Sequence, residues 1–431
     1  MADNTDIEIY NYYFMKQLTL ILFTFLLNIH LLTAQNQANN WYFGVTAGLT
    51  FNTTPPSALT DGVVNTAEGS ATMSDASGNL LFYTDGITVW NRNHQIMPNG
   101  TGLLGDPSAA QSAIIVPKPG SQTNYYVITV PVTSSNGMCY SEVDMSLNGG
   151  LGGILTTNKN TLMFTPSSEK VTAVRHANGL YYWVIGRKNG ATDSKVYIAF
   201  LIDCNGVNTS SPVESNVGIT NAENWGYLVA SPDGTKLASA SSGSGIELTS
   251  FDNQTGVVSN TIDLGSLSYS GTTGGNYGVS FSPNSNVLYA ASITNWALVQ
   301  WDLTAANIPA SKIYIGDLQG NGASRPSYRG GALQLGPDGK LYTTQTGTTY
   351  LGVVNNPNVV GAGCNLQIDA VSLNGRTCRL GLPPFIQSYF STHSIDYANH
   401  CEGEQTQFTL LGANYLDSVR WNFNDPSSGS N

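Results

Sequence analysis

The chain has 431 residues, of which 10% are Asp, Glu, Lys or Arg, and a net charge of −11 at neutral pH. So low a charged fraction, against about a quarter in an ordinary soluble domain, argues against long salt-bridged helices. The negative balance without any basic run disfavours nucleic-acid backbones and anionic membranes as partners.

In chain order, the first element is "MKQLTLILFTFLLNIHLLTAQ", with Lys16, an apolar core from Leu18 to Leu27 and a small residue, Ala34, at the expected cut. It reads as a secretory signal peptide, too short in its apolar run for a membrane span. Residues 1–34 are therefore expected to be an N-terminal extension and signal peptide, removed on export after Ala34. A retained hydrophobic anchor is the alternative. The preceding "MADNTDIEIYNYYF" supplies no basic residues, which makes Met15 a candidate start of translation beside Met1.

From about residue 40 a strand, turn, strand unit recurs: "SDASGNLLFYTDG", "RHANGLYYWVIG", "SPDGTKLASAS", "SPNSNVLYAAS" and "GPDGKLYTTQ". Gly or Asn at each turn supports the backbone angles of a tight reversal. Each unit runs into a strand ending in an apolar residue followed by Asp or Asn: Trp90-Asn91, Val143-Asp144, Ile202-Asp203, Phe251-Asp252, Trp301-Asp302 and Val354-Asn355. The slots lie about fifty residues apart, the period of propeller blades. A short Asx side chain leaving a strand bonds to backbone two residues on, so these carboxylates, like Asp233 and Asp338 in the hairpin turns, read as turn formers and not catalysts.

The central strands are apolar or small at odd and even positions alike, so both faces must be covered, as in blades stacked around an axis. A further slot, Phe51-Asn52, has no inner strand before it. "GLPPFIQSYF", Gly381 to Phe390, is expected to supply that strand and close the ring. The expected fold is all-β: a seven-bladed β-propeller over 40–397, with six blades as the alternative, closed by N-terminal strands. From 400 to 431 a new alternating pattern, with Phe408, Leu410, Val419, Trp421 and Phe423 as core candidates, reads as the start of a truncated β-sandwich.

The chemistry is sparse. G-x-S-x-G, G-x-x-x-x-G-K-[ST] and H-E-x-x-H are absent. His94, His176, His393 and His400 are scattered and read as structural or surface residues. No catalytic residue and no cofactor is expected; calcium, which wants several oxygen ligands, is the one candidate, at Asp61, Glu68, Asp75 and Asp85. Possible ligand contacts are Trp296, after a polar turn where its ring could reach the rim, and Arg325, Tyr328 and Arg329 in the connection leading into a blade. Trp90, Trp183 and Trp301 are expected in the core. Of five cysteines, Cys364 and Cys378 are close enough in sequence for a disulfide; Cys139, Cys204 and Cys401 show no metal spacing, and a partner for Cys401 is expected beyond Asn431.

"NNWYFGVTAGLTFN", "EGSATMSDASGNLLFYTDGITVWNRNHQIMPNGTGLLG", "QSAIIVPKPGSQTNYYVITV" and "RLGLPPFIQSYF" together resemble the N-terminal region of large Bacteroidota surface proteins exported by the type IX secretion system and associated with gliding motility. "VRWNFNDPSSGSN", through Trp421, Phe423, Asp425 and Pro426, resembles the W-x-F-G-D-P signature of polycystic-kidney-disease-type (PKD) domains, with Asn424 in place of Gly. The resemblance implies a propeller followed by PKD-type repeats and a type B sorting domain, secretion or display at the outer cell surface, and contact with the type IX machinery. The expected function is a non-catalytic binding or scaffolding protein, in adhesion or gliding, with an extracellular protein or glycan as partner. A propeller enzyme of lactonase or sugar dehydrogenase type, or a glycan-binding surface protein, is the alternative.

Overall fold

A computed structural model describes residues 36–133, 136–190, 194–219, 225–267, 275–320 and 330–391, and the backbone of two strands beyond them. They belong to one compact unit, Gln35–Asn431.

Seven consecutive antiparallel sheets make a seven-bladed β-propeller. Blade 1 holds β1 (Asn40–Phe43), β2 (Ala47–Thr50) and β3 (Ser57–Leu59); blade 2 holds β4 (Ala71–Ser74), β5 (Leu80–Thr84) and β6 (Val89–Asn91). Blade 3 runs through β7 (Ala113–Pro117), β8 (Asn124–Thr129) and β9 (Met138–Asp144) to a split outer edge, β10 (Gly153–Ile154) and β11 (Thr161–Phe164), both paired to β9. Blade 4 is similar, with β12 (Ser167–Arg175), β13 (Tyr182–Lys188) and β14 (Val196–Asp203) edged by β15 (Gly206–Val207) and β16 (Val213–Asn216). Blades 5, 6 and 7 are four-stranded meanders: β17 (Leu228–Ala230), β18 (Lys236–Ser241), β19 (Gly245–Asp252) and β20 (Val257–Gly265); β21 (Asn276–Phe281), β22 (Val287–Ser292), β23 (Ala297–Asp302) and β24 (Ile313–Asp317); β25 (Gly330–Leu335), β26 (Leu341–Gln345), β27 (Tyr350–Val354) and β28 (Leu366–Ser372).

The first strands of successive blades, β4, β7, β12, β17, β21 and β25, pack against one another and so line the hub. In β21, β22, β25 and β26 every residue is buried, because a blade has a neighbour on each face. The outer strands β24 and β28 are half-exposed and more polar. The recurring Asx slot does the predicted work. Asp144, Asp203, Asp252 and Asp302 each accept a hydrogen bond from the N–H two residues on, at 2.7–2.9 Å. Hydrogen bonds from Thr255 and Thr304 hold the Asp252 and Asp302 carboxyls below the usual range. Asp338 is likewise a turn former, taking the Lys340 N–H at 3.3 Å and the Tyr342 hydroxyl at 2.8 Å.

Closure differs in detail from the expected strand. Residues 381–386 are extended without a ladder and Gln387–Phe390 is a 3-10 turn, since Pro383 and Pro384 carry no N–H to donate. The junction is fastened just upstream. Val45 N–H bonds to Thr377 O (2.9 Å), Ala332 N–H to Leu380 O (2.7 Å) and Leu380 N–H to Ala67 O (3.2 Å), which ties blades 1, 7 and 2 together. Trp41, fully buried, packs against Phe51, Tyr342 and Phe385 with ring centroids 4.9–6.0 Å apart and fills this seam.

Cys364 and Cys378, expected as a possible disulfide, are free buried thiols. They stand at the outer edge of blade 7 and at its exit, and Cys378 Sγ instead bonds to Gln345 O at 3.1 Å. Cys204 is disulfide-bonded, to a partner outside the described residues. Past the ring, β29 (Ser394–Ala398) and β30 (Gln407–Leu411) pair antiparallel. The residues carrying the PKD resemblance, Trp421, Phe423, Asp425 and Pro426, lie outside the described residues, as does the signal peptide.

Candidate active site

The N-terminal ends of the hub strands all meet on one side of the ring, joined by a belt of hydrogen bonds. Glu68 N–H reaches Pro107 O and Gly69 N–H reaches Ala109 O, both at 3.0 Å, so the loop before β7 is zipped to the segment before β4. The next link is a side chain: Ala110 N–H donates to Glu169 Oε2 at 2.8 Å. Gln111, buried, then spans two blades; its Oε1 accepts from Val171 N–H (3.2 Å) and Leu228 N–H (2.8 Å), and its Nε2 donates to Leu228 O (3.0 Å). Tyr227 N–H completes the run to Tyr277 O at 2.9 Å.

Across this mouth the Tyr277 hydroxyl, on blade 6, donates to Glu68 Oε2 at 2.6 Å. Tyr227 reaches the closing segment, its hydroxyl 3.3 Å from both the carbonyl and the N–H of Leu382. Gly69 and Gly381 are what let the backbones approach: a Cβ on Gly69 would lie 2.2 Å from Ser112 N, and one on Gly381 would lie 1.9 Å from Glu68 O.

The electrostatics follow from this crowding. Burial pushes the Glu68 carboxyl up to about 7, the charge of Asp106 pushing the same way and the Tyr277 hydrogen bond opposing it. Burial also drives Glu169 up to about 7, with Glu68 and Asp106 adding repulsion, against the Ala110 N–H and the neighbouring Lys170. Glu169 and Lys170 are buried, whereas Glu68 is only half-buried and is the carboxyl that meets solvent at the mouth. The Tyr277 hydroxyl is held well above its ordinary value by burial and then by the Glu68 charge, so it stays protonated and donates. Two carboxyls with raised proton affinity, one of them accepting from a phenol donor, therefore stand at this end of the hub.

The residues singled out in the sequence fare unevenly. Trp296 is 8% exposed and so does not offer its ring at the rim; at φ 62° its turn directs the indole into the core, and its carbonyl takes Leu318 N–H at 2.8 Å. Arg325, Tyr328 and Arg329 lie outside the described residues. Asp61, Glu68, Asp75 and Asp85 are not brought together. Asp61 pairs with His94 (3.3 Å) and Tyr42 (3.0 Å), Asp75 organises its hairpin through Ser77 and Asn79, and Asp85 takes the Ile87 and Thr88 N–H groups. Among the described residues no three of His, Cys, Asp and Glu are grouped as metal ligands. His176 stacks on Trp183, and burial lowers its basicity. Trp183 and Trp301 are buried; Trp90 is half-buried on Tyr83.

Glu169, Tyr277 and Gln111 were not anticipated. In a chain so poor in charge, the adjacent Glu169 and Lys170 at the start of the strand-like "SSEKVTAV" were the available signal.

No family model and no curated protein matches the chain. Similar solved structures include Kluyveromyces lactis Hsv2, at 8% identity and TM-score 0.43, covering 87% of this chain and 95% of that one. A functionally unknown protein of Desulfotomaculum acetoxidans is 13% identical at TM-score 0.42, over 80% of this chain and 99% of that one. The periplasmic gluconolactonase of Pseudomonas aeruginosa is 13% identical at TM-score 0.37, over 62% and 74%. Likenesses at this level show the fold alone. The expectation that the chain is not an enzyme finds no support in these neighbours, which include lactonase-type propellers. The motifs whose absence prompted it belong to strand-turn-helix or helical sites, which a nearly helix-free ring does not build, so their absence excludes nothing here.

Proposed function

We propose that the mouth of the hub is the active site of a hydrolase that opens cyclic esters of sugar acids, with Glu68 as the acid–base residue. The observation that carries this reading is the half-buried Glu68 carboxyl, raised to about 7 and hydrogen-bonded by Tyr277 across the hub. As the carboxylate, Glu68 takes a proton from water as the oxygen attacks the lactone carbonyl. As the resulting acid, it returns that proton to the ring oxygen when the acyl C–O bond breaks, leaving one hydroxy acid per water consumed. Tyr277 orients the carboxyl; burial, and after it the Asp106 charge, raise its proton affinity toward neutrality.

The reaction class follows from what one such group can supply. General acid–base catalysis contributes about 10²–10⁴-fold, enough for a sugar lactone, which already opens spontaneously in water, and too little for an unactivated amide. Hydrolysis of glucono-δ-lactone followed by acid release is the test. The wild-type protein is expected to exceed the buffer rate by about 10²-fold or more, the excess rising through about pH 7 to a plateau as Glu68 ionises, and Glu68→Gln to return it to the buffer rate. A wild-type rate equal to buffer, or a Glu68→Gln variant as active as wild type, refutes the reading. The apolar leader ending at Ala34 and the family resemblance support a place outside the cytoplasm, at the cell surface or released from it.

A further inference from the structure

The seam between the first and last blades carries a groove of about 350 Å³, bounded by Pro55, Pro56, Ser57 and Ala58 on blade 1 and by one face of blade 7. That volume is near the small end of ligand pockets, roughly one disaccharide. Its polar lining is neutral apart from one cation: Ser57, Asn355, Gln367, Ser372 and Asn374 share it with Lys340, and no carboxylate is among its described lining residues. This is unusual in a chain with 28 acidic against 17 basic residues.

Lys340 is half-buried and forms no ion pair among the described residues. The nearest acid in sequence, Asp338, is engaged by the Lys340 N–H and the Tyr342 hydroxyl. Exposed amides and hydroxyls offer paired donors and acceptors of the kind vicinal sugar hydroxyls need. Pro55 and Pro56 give an apolar surface for the sugar C–H face.

We propose that this groove binds a disaccharide unit bearing a carboxylate, a uronic acid, which meets Lys340 while its hydroxyls meet the amide rim. The groove lies outside the hub, so this binding is separate from hydrolysis. Digalacturonic acid and its dimethyl ester, alike in rings and hydroxyls and different in charge, are the probes, titrated into the full chain and followed by calorimetry. The acid is expected to bind about two- to fivefold more tightly than the ester at low salt, with the preference shrinking as salt is raised. Lys340→Gln is expected to abolish the preference while leaving the urea midpoint and the hub hydrolysis unchanged. Equal binding of acid and ester, no binding of either, or a preference that survives in Lys340→Gln would overturn the proposal.

Discussion

Glu169→Gln offers the most direct test of the hub electrostatics. The side chain is 5% exposed, and its carboxyl is pushed from an ordinary 4.5 to about 7 by burial first and by the Glu68 charge after it. At about 1.4 kcal/mol per pH unit, that gap corresponds to about 3 kcal/mol of folding free energy. The folded pKa lies above the unfolded one, so this contribution is fully present below about pH 4.5 and is lost as pH rises through about 7. Gln keeps an acceptor for the Ala110 N–H and never ionises. In urea denaturation the variant should therefore match wild type at pH 4 and be more stable by about 2–3 kcal/mol at pH 8. Equal midpoints at pH 8, or a loss of similar size at both pH values, would mean that the Glu169 carboxyl is not desolvated in the folded ring.

A second buried carboxylate should behave in the opposite way. Glu247 is paired with Arg187, both within 3% of full burial, and also accepts from Tyr197 OH (2.5 Å) and Ile219 N–H (2.6 Å). Glu247→Gln leaves the guanidinium without its counter-charge and is expected to cost about 3–5 kcal/mol in urea denaturation at any pH from 5 to 8, whereas replacing both partners by apolar residues of similar volume should recover most of the loss. For the leader, intact mass of protein recovered from the native host should place the mature N-terminus just after Ala34; a chain that retains residues 15–34 would argue for the anchor instead.

The ring was legible because its signals are local and repeated. The hairpin dipeptides and the Asx residue leaving the third strand act within two or three residues, and Asp144, Asp203, Asp252 and Asp302 make the backbone bond that their spacing implied. The site was not legible, because its parts lie on different blades. Glu68 stood out only as one of four nearby acids, and its true partner, Tyr277, is 209 residues away. Trp296 misled for a conformational reason: a polar turn suggests an exposed ring, yet a positive φ turned the indole inward. The closing strand misled through composition, since an apolar run with two prolines at its start can cross a seam but cannot pair along it.

Closure and chemistry share the same few residues. Leu380 N–H fastens the last segment to Ala67, one residue before Glu68, and Gly381 lies directly against the Glu68 carbonyl with no room for a side chain. Leu382 then receives Tyr227 from the far side of the hub. The burial that lifts Glu68 toward neutrality is therefore supplied in part by the segment that closes the ring, and the Tyr277 donor reaches Glu68 only when blades 2 and 6 are held at the closed diameter. An open ring would return Glu68 to water and to its ordinary acidity. On this geometry the segment that closes the ring and the burial of Glu68 belong to one structural unit.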